Sequence, residues 1–254
     1  MLNIVICMGG AGSRFANTGL YNTIKPLIEV TCPITFNKKP MIQMAIESLG
    51  LTGNYIFIVS KEHNEKYDLE NLLTSMVKPN KCIVILEDGP LLGAANACLL
   101  AENYINNNNE LIVTNCDQYI DWSPGHFFHF VHKHNADGAL ITCQVSGDRW
   151  SFCQVEDSGS VSKVVEKHKI SDIVNTGIYY WKTGLSFINS TKEMINNKEN
   201  FYKEFYIAPT FNKLISQNKK ILNYPISNIS FTGTGTPDDL NRYENIMNER
   251  KLNV

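Results

Sequence analysis

The sequence has no apolar run approaching the roughly 20 residues that a membrane-spanning helix needs. Its start carries no charged segment followed by a long apolar stretch, so no secretory leader is expected. Excess positive charge is also missing. Lys and Arg number 23 against 25 Asp and Glu, a net charge of −2, which removes the electrostatic footprint of a nucleic-acid binder. The seven cysteines include no C-x-x-C pair, which argues against a disulfide framework or a zinc site and for reduced thiols in a cytosolic protein. There is no internal repeat and no linker. These absences predict one cytoplasmic domain over residues 1–254, with no membrane or nucleic-acid partner. They leave the oligomeric state open, a homo-oligomer included. The run Asn106-Asn107-Asn108-Asn109 reads as a solvated loop.

The first 26 residues organise the rest. Residues 3–8 form a short apolar run rich in β-branched side chains, the pattern of a buried strand. It leads into Gly9-Gly10-Ala11-Gly12-Ser13-Arg14. Three glycines in four positions let the backbone turn sharply and aim its N–H groups at an anion. Arg14 adds a rigid fork of donors suited to phosphate oxygens, and Lys25-Pro26 adds a second cation beside a stiff residue. The spacing Gly10-x-Gly12-x-x-Phe15 does not fit a dinucleotide fingerprint, because its third position is Phe and no acidic residue ends the second strand.

Down the chain, strands are predicted at 55–60, 82–86 and 111–114, and helices at 41–49, 61–76 and 93–105. Alternation of this kind predicts a Rossmann-like α/β fold, a mostly parallel sheet flanked by helices. Ligands of such sheets bind beyond the carboxyl ends of the strands. The glycine loop, the 87–93 loop and Asp117 would share that edge. Past residue 120 the pattern becomes antiparallel, with strands at 139–145, 152–155, 161–166 and 178–181. Helices at 184–197 and 201–217, strands at 221–224 and 229–231, and a closing helix at 237–250 capped by Thr236 follow. This half reads as a smaller lobe on the first: 1–120 for nucleotide, 121–254 for acceptor. His126, His129, His132 and His134 read as surface residues of a helix whose buried face is Phe-rich, rather than as metal ligands.

Taken together, Gly9-Gly10-x-Gly12-Ser13-Arg14, Lys25-Pro26, Gly93-Ala94-Ala95, Asp117, Glu166-Lys167, Asn175-Thr176-Gly177-Ile178-Tyr179 and Gly235-Thr236-Pro237-Asp238-Asp239-Leu240 resemble a family signature. It is that of nucleotidyltransferases joining an NTP to a phosphorylated small molecule, typically a sugar 1-phosphate. In size the chain is similar to the compact cytidylyltransferases, and among them to those that load CMP onto phosphoglutamine for capsule synthesis. The resemblance implies CTP or another NTP as donor, a phosphorylated small-molecule acceptor and Mg2+ as cofactor. It implies nucleotide binding by Met8, Gly9, Gly10, Ala11, Gly12, Ser13, Gly93 and Ala94, with the base against Gly9, Gly10 and the 87–93 loop. Arg14 would hold the departing phosphates, Lys25 the α-phosphate and Lys167 the acceptor phosphate. Glu166, Asn175 and Gly177 would contact the acceptor, and Asp117 the metal. A UTP- or dTTP-dependent sugar-1-phosphate enzyme is the alternative. One departure stands out: where the family carries a second metal-binding Asp, this chain has Gly233. That opens a third reading, a catalytically silent nucleotide sensor.

Overall fold

Residues 1–10, 12–89 and 91–252 are described by a computed structural model. In chain order the elements are β1 (Leu2–Cys7), α1 (Ser13–Ala16), β2 (Glu29–Thr31), β3 (Lys38–Pro40), α2 (Met41–Leu49), β4 (Asn54–Ser60), α3 (Lys61–Tyr67), α4 (Leu69–Val77), β5 (Lys81–Glu87), α5 (Ala94–Cys98), α6 (Glu102–Ile105) and β6 (Glu110–Thr114). They continue with β7 (Gln118–Ile120), α7 (Pro124–Lys133), β8 (Gly138–Cys143), β9 (Ser151–Val155), β10 (Val161–Glu166), β11 (Val174–Trp181), α8 (Gly184–Asn196), α9 (Phe211–Ser216), β12 (Ile221–Pro225), β13 (Phe231–Gly233) and α10 (Pro237–Leu252).

One nine-stranded sheet runs through both halves, in the order β10-β9-β11-β6-β1-β4-β5, with β8 on β11 and β12 on β8. β5, β4, β1 and β6 are mutually parallel; β11 enters antiparallel beside β6 and carries the sheet into the second half. Strands covered on both faces read as unbroken apolar runs, which is why β1 and β4 lack alternation. Their side chains still alternate in space. Ile4 and Ile6 pack with Ile42, Ile46, Leu69 and Phe127 of α2, α4 and α7, while Val5 packs with Ala95, Cys98 and Phe187 of α5 and α8.

Four expectations need correction. The helix expected at 61–76 is two helices, because Asp68 takes a left-handed φ of 49° and swings the chain. That expected at 93–105 is two short α-helical pieces joined by a 3-10 turn. That expected at 201–217 is helical only from Ala208: the Phe205 N–H donates to Leu92 O (2.7 Å) and Phe205 O accepts from Ala95 N (3.0 Å), so its backbone is committed to another segment. The strand expected at 229–231 is shifted to Phe231–Gly233, after a 3-10 turn at Asn228–Ser230. Three short strands, β2, β3 and β7, had no sequence signal. The Thr236 cap is present: its hydroxyl accepts from Asp239 N at 3.2 Å. His126, His129, His132 and His134 are exposed, as expected.

Candidate active site

β1 delivers its loop to the carboxyl edge of the sheet. Met8 itself is buried among the β1 and α2 side chains, and its N–H donates to Ile58 O at 2.8 Å, so the strand's pairing holds the first residue of the glycine loop. Gly12 is left-handed (φ 57°), and a Cβ there would lie 3.2 Å from Lys25 Cβ; its glycine is needed both for the turn and for the approach of Lys25. Ala11 lies outside the described residues.

Lys25 starts a 3-10 turn whose Pro26 is buried, and its ammonium donates to Asp117 Oδ2. Burial is the largest single influence and would depress the lysine's pKa, but the Asp117 charge and hydrogen bond together with Cys116 outweigh it, and the net shift is upward. Asp117 follows β6. Its carbonyl accepts from Thr234 N (2.8 Å) and Thr234 Oγ1 (3.0 Å), so the segment after β13 clamps its backbone. A Cβ on Gly235 would fall 2.7 Å from Asp117 Oδ2, so this glycine makes room for the carboxylate.

From the other half, β10 ends at Glu166 and Lys167. Lys167 is left-handed (φ 52°), its N–H donates to Trp150 O at 2.9 Å, and its ammonium donates to the Tyr206 hydroxyl. The same ammonium lies 4.4 Å from the Tyr206 ring centre. Burial and the Glu204 carboxylate raise the Tyr206 pKa, so the phenol stays neutral. Asn175 on β11 donates to Ser151 Oγ at 2.9 Å, and Ser151 in turn hydrogen-bonds Glu166. Gly177 (φ 83°) admits Asn115 Nδ2 and Gln118 Oε1, either of which a Cβ would overlap.

Arg14, Lys25, Ala94, Asp117, Glu166, Asn175 and Gly177 thus meet around one cavity of about 310 Å3, together with Arg149, Trp150 and Tyr206. Lys167, Met8, Gly9, Gly10, Gly12, Ser13 and Gly93 do not line it. Gly93 serves a close contact instead: a Cβ would lie 2.6 Å from both N and O of Phe205.

Glu166 is only 8% exposed, and burial lifts its pKa to about 7 against the pull of Lys167 and Ser151. A folded-state pKa above the unfolded value means stability that is full in acid and lost as pH rises through 7. Between pH 5 and 8 the wild type should therefore lose about 2 kcal/mol relative to Glu166→Gln. Urea titrations of both proteins across that range check this; parallel pH profiles would refute it.

The nucleotidyl transferase family model matches residues 3–249. The chain belongs to the nucleotidyl transferase family. No curated protein matches it. Solved structures share its fold. A nucleoside-diphosphate-sugar pyrophosphorylase from Vibrio cholerae RC9 is 24% identical with a TM-score of 0.79, covering 95% of this chain and 99% of that one. A UDP-glucose pyrophosphorylase complexed with UDP-glucose is 16% identical, TM-score 0.78, covering 98% and 99%. The inositol-1-phosphate CTP transferase from T. maritima is 17% identical, TM-score 0.69, covering 98% and 96%.

In this nucleotidyltransferase the donor set for a metal is sparse. Among the described residues no three His, Cys, Asp or Glu side chains gather to hold one. Asp117 is partly exposed, its side chain 17% accessible, with its Oδ2 on Lys25. Gly233 faces the edge of Trp150, whose ring would be 3.6 Å from a Cβ there, so the indole stands beside the missing carboxylate's place. Asp239 lines the same cavity but is bonded to Arg149 at 2.5 Å. One accessible carboxylate suits a Mg2+ ion that substrate phosphates and water complete, and does not suit an all-protein cage. Tyr206, Arg149, Asp239 and Ser151 were not foreseen from sequence. Their places depend on contacts across 15 residues or more.

Proposed function

We propose that this nucleotidyltransferase moves CMP from CTP onto the phosphate of a small phosphorylated acceptor and releases pyrophosphate. What supports it is the convergence of Arg14, Lys25 and Asp117 from the first half with Glu166 from the second on one cavity. An acceptor phosphate oxygen attacks the α-phosphorus, and the bond to the pyrophosphate oxygen breaks in line. Both partners are anions, so positioning and charge neutralisation dominate. Arg14 receives the charge that builds on the leaving pyrophosphate. Lys25, kept protonated beside Asp117, meets the α-phosphate. Lys167, held by Tyr206, meets the acceptor phosphate, and Glu166 accepts hydrogen bonds from the acceptor's polar groups. Asp117 would hold Mg2+, which supplies charge neutralisation at the reacting phosphate when bound. In this reading 1–120 forms the nucleotide half and 121–254 the acceptor half, and the enzyme works in the cytoplasm.

Each NTP with Mg2+ and a panel of phosphorylated acceptors, phosphoglutamine among them, is the direct test. Pyrophosphate release is expected with CTP. Release with UTP or dTTP alone would give the sugar-1-phosphate alternative. Gly233 favours a second reading, a silent nucleotide sensor; NTP binding without release from any pair would support it.

A further inference from the structure

Cys7 closes β1 one residue before Met8, and Cys98 closes α5, the helix that starts at Ala94. Their sulfurs lie 3.2 Å apart, and the Cys7 thiol also donates to Ala94 O at 3.7 Å. Among the described residues no other two cysteines hydrogen-bond each other. Cys98 is fully enclosed and Cys7 only partly buried, so solvent approaches the pair from the Cys7 side. The hydrogen bond to Cys7 and burial keep Cys98 a thiol, its pKa well above the ordinary value. Elsewhere a buried cysteine serves as a small apolar side chain. This pair instead joins two elements at the wall of the site. Ala94 lines the cavity, and the Ala95 N–H donates to Phe205 O at 3.0 Å. Phe205 leads directly into Tyr206 and Ile207, which line the same wall.

We propose that Cys7 and Cys98 form a reversible disulfide on exposure to a hydroperoxide, and that this bond weakens nucleotide binding. The Cys7 sulfur attacks one peroxide oxygen. The O–O bond breaks, the thiol proton leaves with the departing oxygen as water, and Cys7 becomes a sulfenic acid. The Cys98 sulfur then attacks the sulfenic sulfur. The S–S bond forms, the S–O bond breaks, and the Cys98 proton leaves with that oxygen as a second water. Two electrons pass from the thiols to the peroxide. A disulfide holds its sulfurs about 2.05 Å apart, so this pair closes by roughly 1 Å from its 3.2 Å contact. β1 is fixed in the sheet between β4 and β6, so α5 is the element that moves. Its shift takes Ala94 from its place on the wall and pulls on the hydrogen bond to Phe205. The inference rests on the nucleotidyl-transfer reading for the ligand of that wall, and goes beyond it in giving the site a redox control.

The test treats the full chain with hydrogen peroxide, stops the reaction with catalase, and returns half of the sample to dithiothreitol. Peptide mapping without reductant should show Cys7 joined to Cys98 with the loss of two hydrogens. Isothermal titration in Mg2+ uses the NTP that the reduced protein binds most tightly, CTP in the reading above. The oxidised protein should bind it ~5-fold or more weakly, and dithiothreitol should restore the affinity. By reciprocity, the saturating NTP should disfavour the disulfide against a dithiothreitol redox buffer by the same factor. Cys7→Ala and Cys98→Ala should each bind the NTP like the reduced wild type and keep that affinity through peroxide. Melting curves show that each is folded; Cys7→Ala, at the partly exposed position, serves alone where the cavity at Cys98 lowers stability. Absence of the joined peptide, or a joined pair with unchanged NTP affinity, overturns the inference. A loss of affinity in peroxide that persists in Cys7→Ala also overturns it, because the damage then lies at another thiol. A reduced wild type that binds no NTP removes the transfer reading and the switch together, whereas a missing disulfide removes the switch alone.

Discussion

Asp117→Asn is expected to lower turnover by ~100-fold or more, about 2.7 kcal/mol of barrier, with little change in melting temperature. The substitution keeps the shape and leaves the Asp117 carbonyl to hold Thr234 N and Oγ1. What disappears is the negative charge that faces Lys25. Of the other carboxylates on the cavity wall among the described residues, Asp239 is held by Arg149 and Glu166 is buried with its pKa raised to about 7. The Lys25–Asp117 pair is partly exposed, with side-chain accessibilities of 22% and 17%, so its contribution to folding is small, of the order of 1 kcal/mol or below. Lys25→Ala should behave similarly, because a positive charge at the α-phosphate matters more as the phosphorus gains oxygen neighbours than it does to the resting fold. Steady-state turnover at saturating NTP and acceptor, beside a melting curve, checks both. Near-normal turnover in either variant would remove that residue from the chemistry.

The physics that made parts of this molecule legible also explains the misreadings. β1, β4 and β6 showed as apolar runs because a doubly covered parallel strand has no polar face, whereas β5 is a partly exposed edge strand that is apolar all the same. The order of elements then placed Asp117, the glycine loop and the 87–93 loop at one edge before any coordinates. The stretch 201–217 misled because Phe201, Phe205 and Ala208 repeat at near-helical spacing. Two long-range backbone hydrogen bonds at Phe205 decide its conformation, and no local pattern reports a partner 110 residues away. β2, β3 and β7 are three residues each, too short for a period to show. The charged motif residues were readable because phosphate chemistry restricts which side chains serve. Tyr206, which seats Lys167, was not, because it gains its meaning from a neighbour far off in sequence. Gly233 was read as a gap. In the structure it lies against Trp150, at a distance where a Cβ would still fit.

Gly93→Ala and Gly10→Ala should separate sharply, although both glycines belong to motifs with the same family resemblance. Gly93 has φ +103°, a region an L side chain rarely adopts, and its new Cβ would lie 2.6 Å from both N and O of Phe205. Those are backbone atoms fixed by hydrogen bonds to Leu92 and Ala95, so they cannot swing away as a side-chain end could. Strain and clash together should cost about 2–4 kcal/mol, lowering the melting temperature by roughly 4–12 °C in a chain of this size. The displaced segment leads into Tyr206, so Lys167 should lose its seat and turnover should fall as well. Gly10 has nothing within 4 Å of a built Cβ and no positive φ. Its substitution should change stability by less than about 0.5 kcal/mol. Any loss it shows should be confined to NTP binding, because a methyl there would stand where the loop backbone must approach the nucleotide. Differential scanning calorimetry and NTP titration of the two variants give the comparison. If Gly93→Ala melts with the wild type, the contact with Phe205 is not what this glycine serves. If Gly10→Ala binds NTP unchanged, the nucleotide does not approach the loop at that residue.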